Sequence, residues 1–153
     1  MKNPQNERAF LGMVTFGLAF ILSFTFLLPE RTINKDLESY YNTYVKQLDT
    51  FCPGKYKEPH QIVVDIKPLV SNNIGLCFKL FTKRYMYVDE NHYEYSDDYK
   101  RKQVMYHEFS HCLLDKEHVA DPNHYMYFED NVILPHVFES QVVAGMREWC
   151  KGK

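Results

Sequence analysis

The sequence predicts an α+β domain standing behind one N-terminal transmembrane helix, and three observations carry that reading. The chain of 153 residues contains an uncharged apolar stretch, Phe10–Leu28. Beyond it, hydrophobic residues recur first at helical spacing, then in alternation, then at helical spacing again. A hydrophobic fraction of 45% with 25% charged residues is that of a globular domain, which excludes a disordered, collagen-like or coiled-coil chain. The roughly 125 residues after the stretch suffice for one domain and not for two.

Residues 1–9 form a polar tail. The 19 residues Phe10–Leu28 that follow are enough, as a helix, to cross a hydrocarbon core of about 30 Å. A cleaved signal segment is the alternative, but its apolar region usually runs ~7–15 residues and ends at a small-x-small site. Only Ser23-Phe24-Thr25 approaches such a site, so an uncleaved signal-anchor is expected. Lys2 and Arg8 on one side are matched by Arg31 and Lys35 on the other, so the free amine alone tips the expected orientation, with the N-terminus in the cytoplasm and residues 31–153 outside it. Cleavage would make the protein secreted or periplasmic.

In the remainder, Ile33, Leu37, Tyr40, Tyr41, Tyr44, Leu48 and Phe51 recur every three or four residues, predicting a helix that Cys52-Pro53-Gly54 stops. Alternation at Ile62, Val64 and Ile66, and again from Ile74 to Leu80 after the Asn72-Asn73 turn, predicts two strands. Tyr85–Val88 reads as a third. Ser96-Asp97-Asp98 supplies a polar cap for a helix running to about Asp115. A loop rich in His, Asp, Pro and Asn follows. Pro135 then opens a last helix, with Phe138, Val142, Met146 and Trp149 on one face.

Charge and cysteine usage narrow the function classes. Setting aside Lys2, Arg8 and Glu7 leaves 16 basic against 19 acidic residues, net −3, which gives no electrostatic footprint for nucleic acid. Cys52, Cys77, Cys112 and Cys150 form an even set without a CxxC pair, so disulfides are favoured over a cysteine zinc site. Three pairings are open, and Cys52 with Cys150 would staple the ends of the domain.

The chemistry lies in His107-Glu108-Phe109-Ser110-His111, an HExxH motif on the middle helix. Histidines four residues apart stand on one helical face, so both imidazoles reach one Zn²⁺ while Glu108 lies beside the water that the ion activates, as general base. Val104, His107, His111 and Leu114 make one stripe of this helix, and Met105, Phe109, Cys112 and Leu113 the opposite, core-seeking one. A catalytic zinc takes a third protein ligand and keeps an open position. His118, seven residues past His111, fills that role if the helix ends near Asp115 in a left-handed turn; Glu117, Asp121 and His124 are the nearest rivals.

HExxH, a third His shortly beyond and then a Met in a tight turn resemble the metzincin zinc metallopeptidases. The string HEFSHCLLDKEH is closer still to small bacterial and phage metallopeptidases with an HELxHCxLxxxH motif and a Met-turn. The third His sits one residue farther than in the usual metzincin pattern, and Leu114 stands where that pattern has Gly. The resemblance covers residues 32–150 and implies a helix, a short twisted sheet, an active-site helix, a Met-turn and a C-terminal helix. It implies His107, His111 and His118 as zinc ligands, Glu108 as general base and Met126 as the Met-turn residue. It further implies a peptide or protein substrate that adds as a strand to the sheet edge, expected at Tyr85–Val88. Tyr127 matches a tyrosine that stabilises an oxyanion in some metzincins, but in so tyrosine-rich a chain it is read as a packing residue. Two alternatives stand beside this reading. One is a gluzincin-type site with Glu139 as third ligand, and the other a membrane-tethered zinc-binding module without turnover.

Overall fold

Four strands and four helices make up the described part of the chain, residues 30–59, 61–70, 73–127 and 133–152 of a computed structural model. The order is β1 (Glu30–Ile33), α1 (Glu38–Phe51), β2 (Gln61–Lys67), β3 (Gly75–Leu80), β4 (Lys83–Asp89), α2 (Glu90–Tyr95), α3 (Asp98–Leu114) and α4 (Pro135–Lys151). Among the described residues no helix is long and apolar enough to cross a membrane, and Phe10–Leu28 lies outside them.

The strands form one sheet in the order β1-β2-β4-β3, with β1, β2 and β4 parallel and β3 antiparallel to β4. Alternation sends Ile62, Val64, Met86 and Val88 to one face, where they are buried beneath the helices. Tyr85 and Tyr87 point to the other face, where Phe78 stacks on Tyr85 at 4.9 Å between ring centroids. Two expectations change here. Ile33 belongs to a strand and not to the first helix, because Glu30–Ile33 pairs in parallel with Gln61–Val64. The strand holding Tyr85–Val88 is internal, flanked by β2 and β3, so the edge beside the helices is β3 instead.

Helix α3 runs through the centre. Asp97 caps it, its carboxylate accepting from the Lys100 N–H at 2.8 Å. Its aromatic residues meet those of α1: Tyr41 lies edge-on to Phe109 at 5.5 Å, and Tyr44 edge-on to Tyr106 at 5.0 Å. Because sheet, α1 and α4 surround it, Val104 and Leu114 are buried as fully as the stripe assigned to the core. His107 and His111 are left as half-exposed positions facing a cleft.

Two disulfides close the structure. Cys52–Cys150 joins the ends of α1 and α4, and Cys77–Cys112 joins β3 to α3. Closing loops of 98 and 35 residues, each is worth about 2–4 kcal/mol against the unfolded chain. One local cost stands out. Phe81, the first residue of the two-residue β3–β4 turn, has φ 54°, a left-handed conformation that costs an L-residue about 1–2 kcal/mol.

Candidate metal centre

Helix α3 sets His107 and His111 one turn apart, and the way it ends brings a third imidazole to them. Asp115 adopts φ 56° and ψ 34°, the left-handed stop expected of it, and the Lys116 N–H turns back to the Ser110 carbonyl at 3.1 Å. Arg84 of β4 holds the stop by donating to the Cys112 carbonyl and to the Asp115 carboxylate, which also pairs with Lys79. The reversed chain then carries His118 over the helix.

The three Nε2 atoms form a nearly equilateral triangle. His107 and His111 are 3.0 Å apart, and each is 3.1 Å from His118. Three nitrogens bound to one tetrahedral zinc at 2.0–2.1 Å would stand roughly 3.3 Å apart, so the donor set fits that ion. The opposite ring nitrogens explain why. His107 Nδ1 meets the Tyr125 carbonyl at 2.8 Å and His111 Nδ1 the Lys116 carbonyl at 2.5 Å. A carbonyl only accepts, so each Nδ1 carries the proton and each Nε2 presents a lone pair. Two imidazole lone pairs aimed at each other across 3.0 Å repel unless a cation lies between them. Burial pushes the His107 pKa down to about 4 and that of His111 below its ordinary value, so protons compete poorly for this place at neutral pH.

Glu108 lines the same cleft, a cavity of about 760 Å³ between α3, β3 and the loop that follows α3. It is 7% exposed, and burial pushes its carboxyl up to about 8. The wall above it is β3, which runs alongside α3 in matched steps: Gly75 lies over Glu108, Cys77 is bonded to Cys112, and Lys79 pairs with Asp115. At Gly75 the approach is so close that a Cβ would stand 2.6 Å from both Cγ and Oε1 of Glu108. Sequence reading passed over Gly75. The available signal was a lone glycine opening a strand, which marks a close approach.

These shifts predict how the chelated protein responds to pH. Glu108 ionises in the unfolded chain near 4.5 but in the fold only near 8, so its contribution is complete below 4.5 and is lost as pH rises towards 8. His107 acts oppositely, its contribution being lost as pH falls from 6.5 towards 4. Between pH 6.5 and 8 the carboxyl therefore dominates. Thermal melts in chelator should show stability falling there by up to about 1.4 kcal/mol per pH unit, and Glu108→Gln should flatten that slope.

Behind the histidines sits a buried hydroxyl network. Ser110 Oγ donates to the Tyr106 carbonyl at 2.8 Å and accepts from Tyr44 at 2.8 Å and Tyr125 at 3.2 Å, which uses its full capacity. It ties α1, α3 and the 124–127 turn together just where Tyr125 offers its carbonyl to His107. Gln141 of α4 secures the same turn, accepting from the Tyr125 N–H at 2.9 Å and donating to the Asn123 carbonyl at 2.8 Å. Met126, next in the turn, is buried in the core.

The other candidates fall into place around this set. Glu139 is exposed and pairs with Lys102 at 2.9 Å, and it does not line the cleft. Glu117, His124 and Tyr127 line the cleft. His124 Nδ1 is engaged by the Met126 N–H, and Asp121 accepts from the Asn123 N–H. Among the described residues, His107, His111 and His118 are the one group of this kind placed to share an ion. Comparisons of the chain with protein-family models, with curated proteins and with solved structures find no match.

Proposed function

We propose that this chain is a zinc-dependent peptidase of metzincin-like build, held at a membrane by residues 10–28 and cleaving peptide bonds outside the cytoplasm. The observation that carries the proposal is the pair of Nε2 lone pairs facing each other at 3.0 Å, each fixed by a backbone carbonyl, beside a buried carboxyl. His107, His111 and His118 would hold the ion. Zinc in such a setting brings the pKa of water towards neutrality and polarises a carbonyl.

The protein's own groups do the rest. Glu108 lines the cleft with the three histidines, where a bound cation would favour its ionised form, and that carboxylate would take a proton from water and later return it to the leaving amine. Strand β3 pairs on one side only among the described residues, and its other edge borders the cleft, so an extended peptide can lie along it. Tyr127 stands on the cleft wall as part of its packing. A turn with buried Met126, which presents the carbonyl that orients His107, supports the metzincin-like reading over the gluzincin one.

Metal analysis and a peptide-library digest on the same variants test the proposal. Wild type should bind about one zinc, His118→Ala should lose it and Glu139→Ala should keep it. Cleavage should stop with chelator and return with zinc. Zinc lost in Glu139→Ala but kept in His118→Ala would restore the gluzincin assignment. Tight zinc with no cleavage of any peptide would leave a binding module.

A further inference from the structure

The register of the sheet puts four backbone positions in one row at one end: Glu30 beside Gln61, Gln61 beside Lys83, and Lys83 beside Leu80. Glu30 opens β1 two positions after Leu28, where the apolar stretch ends. The turn between β3 and β4 therefore projects from the same end of the sheet as the anchor's point of entry, displaced sideways by three strand spacings, about 14 Å.

That turn is built unlike a solvent-facing one. Its first residue, Phe81, is 88% exposed and Leu80, the last residue of β3, is 52% exposed, with Lys79 and Lys83 to either side. Phe81 holds the left-handed position where Gly or Asn is normally found. The two-residue hairpin imposes that positive φ on whatever residue stands there, so a phenylalanine in place of glycine adds strain that its ring, 88% exposed, does not offset by packing within the fold. Apolar residues flanked by lysines suit the boundary between lipid headgroups and acyl chains, where the ring and the leucine would bury while the ammonium groups stay back from the tip, that of Lys79 on Asp115 and that of Lys83 over Tyr85.

We propose that Leu80 and Phe81 form a second, shallow membrane contact, dipping into the bilayer that residues 10–28 span and so fixing the orientation of the cleft. It rests on the anchor reading of residues 10–28 and is independent of catalysis. A single anchoring helix leaves a domain free to tilt, whereas a second contact about 14 Å away restrains one axis of tilt.

The test uses the full chain in phosphatidylcholine–phosphatidylglycerol vesicles, with Trp149→Phe as background and one new tryptophan at a time. Phe16→Trp reports on the anchor, Phe81→Trp and Leu80→Trp on the turn. Tyr95→Trp, exposed in α2 beyond the other end of β4, serves as the water-facing control. Lipids brominated at shallow or deep acyl positions supply the quencher, and circular dichroism verifies folding of each variant. The expected result is deep quenching at position 16, shallow quenching of about twofold or more at 80 and 81, and none at 95. Unquenched, water-like emission at 80 and 81 with quenching at 16 would overturn the proposal while leaving the anchor intact. Blue-shifted but unquenched emission there would also overturn it, in favour of a protein contact. No quenching at 16 would remove the anchor and the proposal together.

Discussion

Glu108→Gln should leave the fold and its zinc in place yet lower peptide hydrolysis by about 10²–10⁴-fold, the usual worth of a positioned acid–base group. Glutamine keeps the length, and it matches the neutral form that burial favours at this position in the metal-free protein. The substitution therefore adds no charge and removes none that the fold relies on. What disappears is the ability to accept a proton from the attacking water. His111→Ala behaves differently and should lose metal and activity together, because it deletes one corner of the Nε2 triangle. The measurement is zinc content, melting temperature and kcat/KM on one set of preparations. Equal hydrolysis by Glu108→Gln would end the peptidase mechanism proposed for this site.

Gly75→Ala is expected to lower kcat by about 10²-fold with zinc content unchanged, the cost of misplacing a reacting group by about 1 Å. A methyl group at that position stands 2.6 Å from Glu108 Cγ, so either the strand or the carboxylate must move. The strand is tied two residues later by Cys77–Cys112, which leaves Glu108 to swing. The loss should fall on kcat more than on KM. Gly152→Ala, whose new carbon would meet nothing nearer than 3.7 Å, is the control and should be silent. If Gly75→Ala retains full activity, the approach of β3 to the helix is looser than the structure shows.

The histidine cluster was legible before the fold, because HExxH is a local pattern and the left-handed stop at Asp115 needs only short-range reasoning. The strands at 61–67, 75–80 and 83–89 were equally visible as alternation. Their order was not. Glu30–Ile33 is too short for a pattern and becomes a strand only through pairing with residues some thirty positions on. The edge was assigned to Tyr85–Val88 by analogy, while β3 was the strand that returned outermost, a long-range fact that alternation does not encode. The same limit hid Gly75, whose meaning comes from the Glu108 side chain 33 residues away in sequence. Helix α2 escaped for a local reason: it has a cap, the Asp89 carboxylate accepting from the His92 N–H at 3.1 Å, but its six residues bury none of their side chains and so show no apolar period.

The Cys52–Cys150 bridge has a consequence for how such a protein ages. A peptidase of the kind proposed would be exposed to its own activity and to that of its neighbours, and surface loops are where backbones are nicked. Any single cut between residues 53 and 149 leaves two pieces still joined covalently through that bridge, and a cut between 78 and 111 leaves them joined through Cys77–Cys112 as well. His107, His111 and His118 all lie inside the larger loop, and the first two also inside the smaller. A cut between Asp115 and His118, in the exposed stretch after α3, would thus separate His118 from the helix histidines along the backbone without releasing either fragment. Damage of that kind would be invisible as a loss of mass until the sulfurs were reduced.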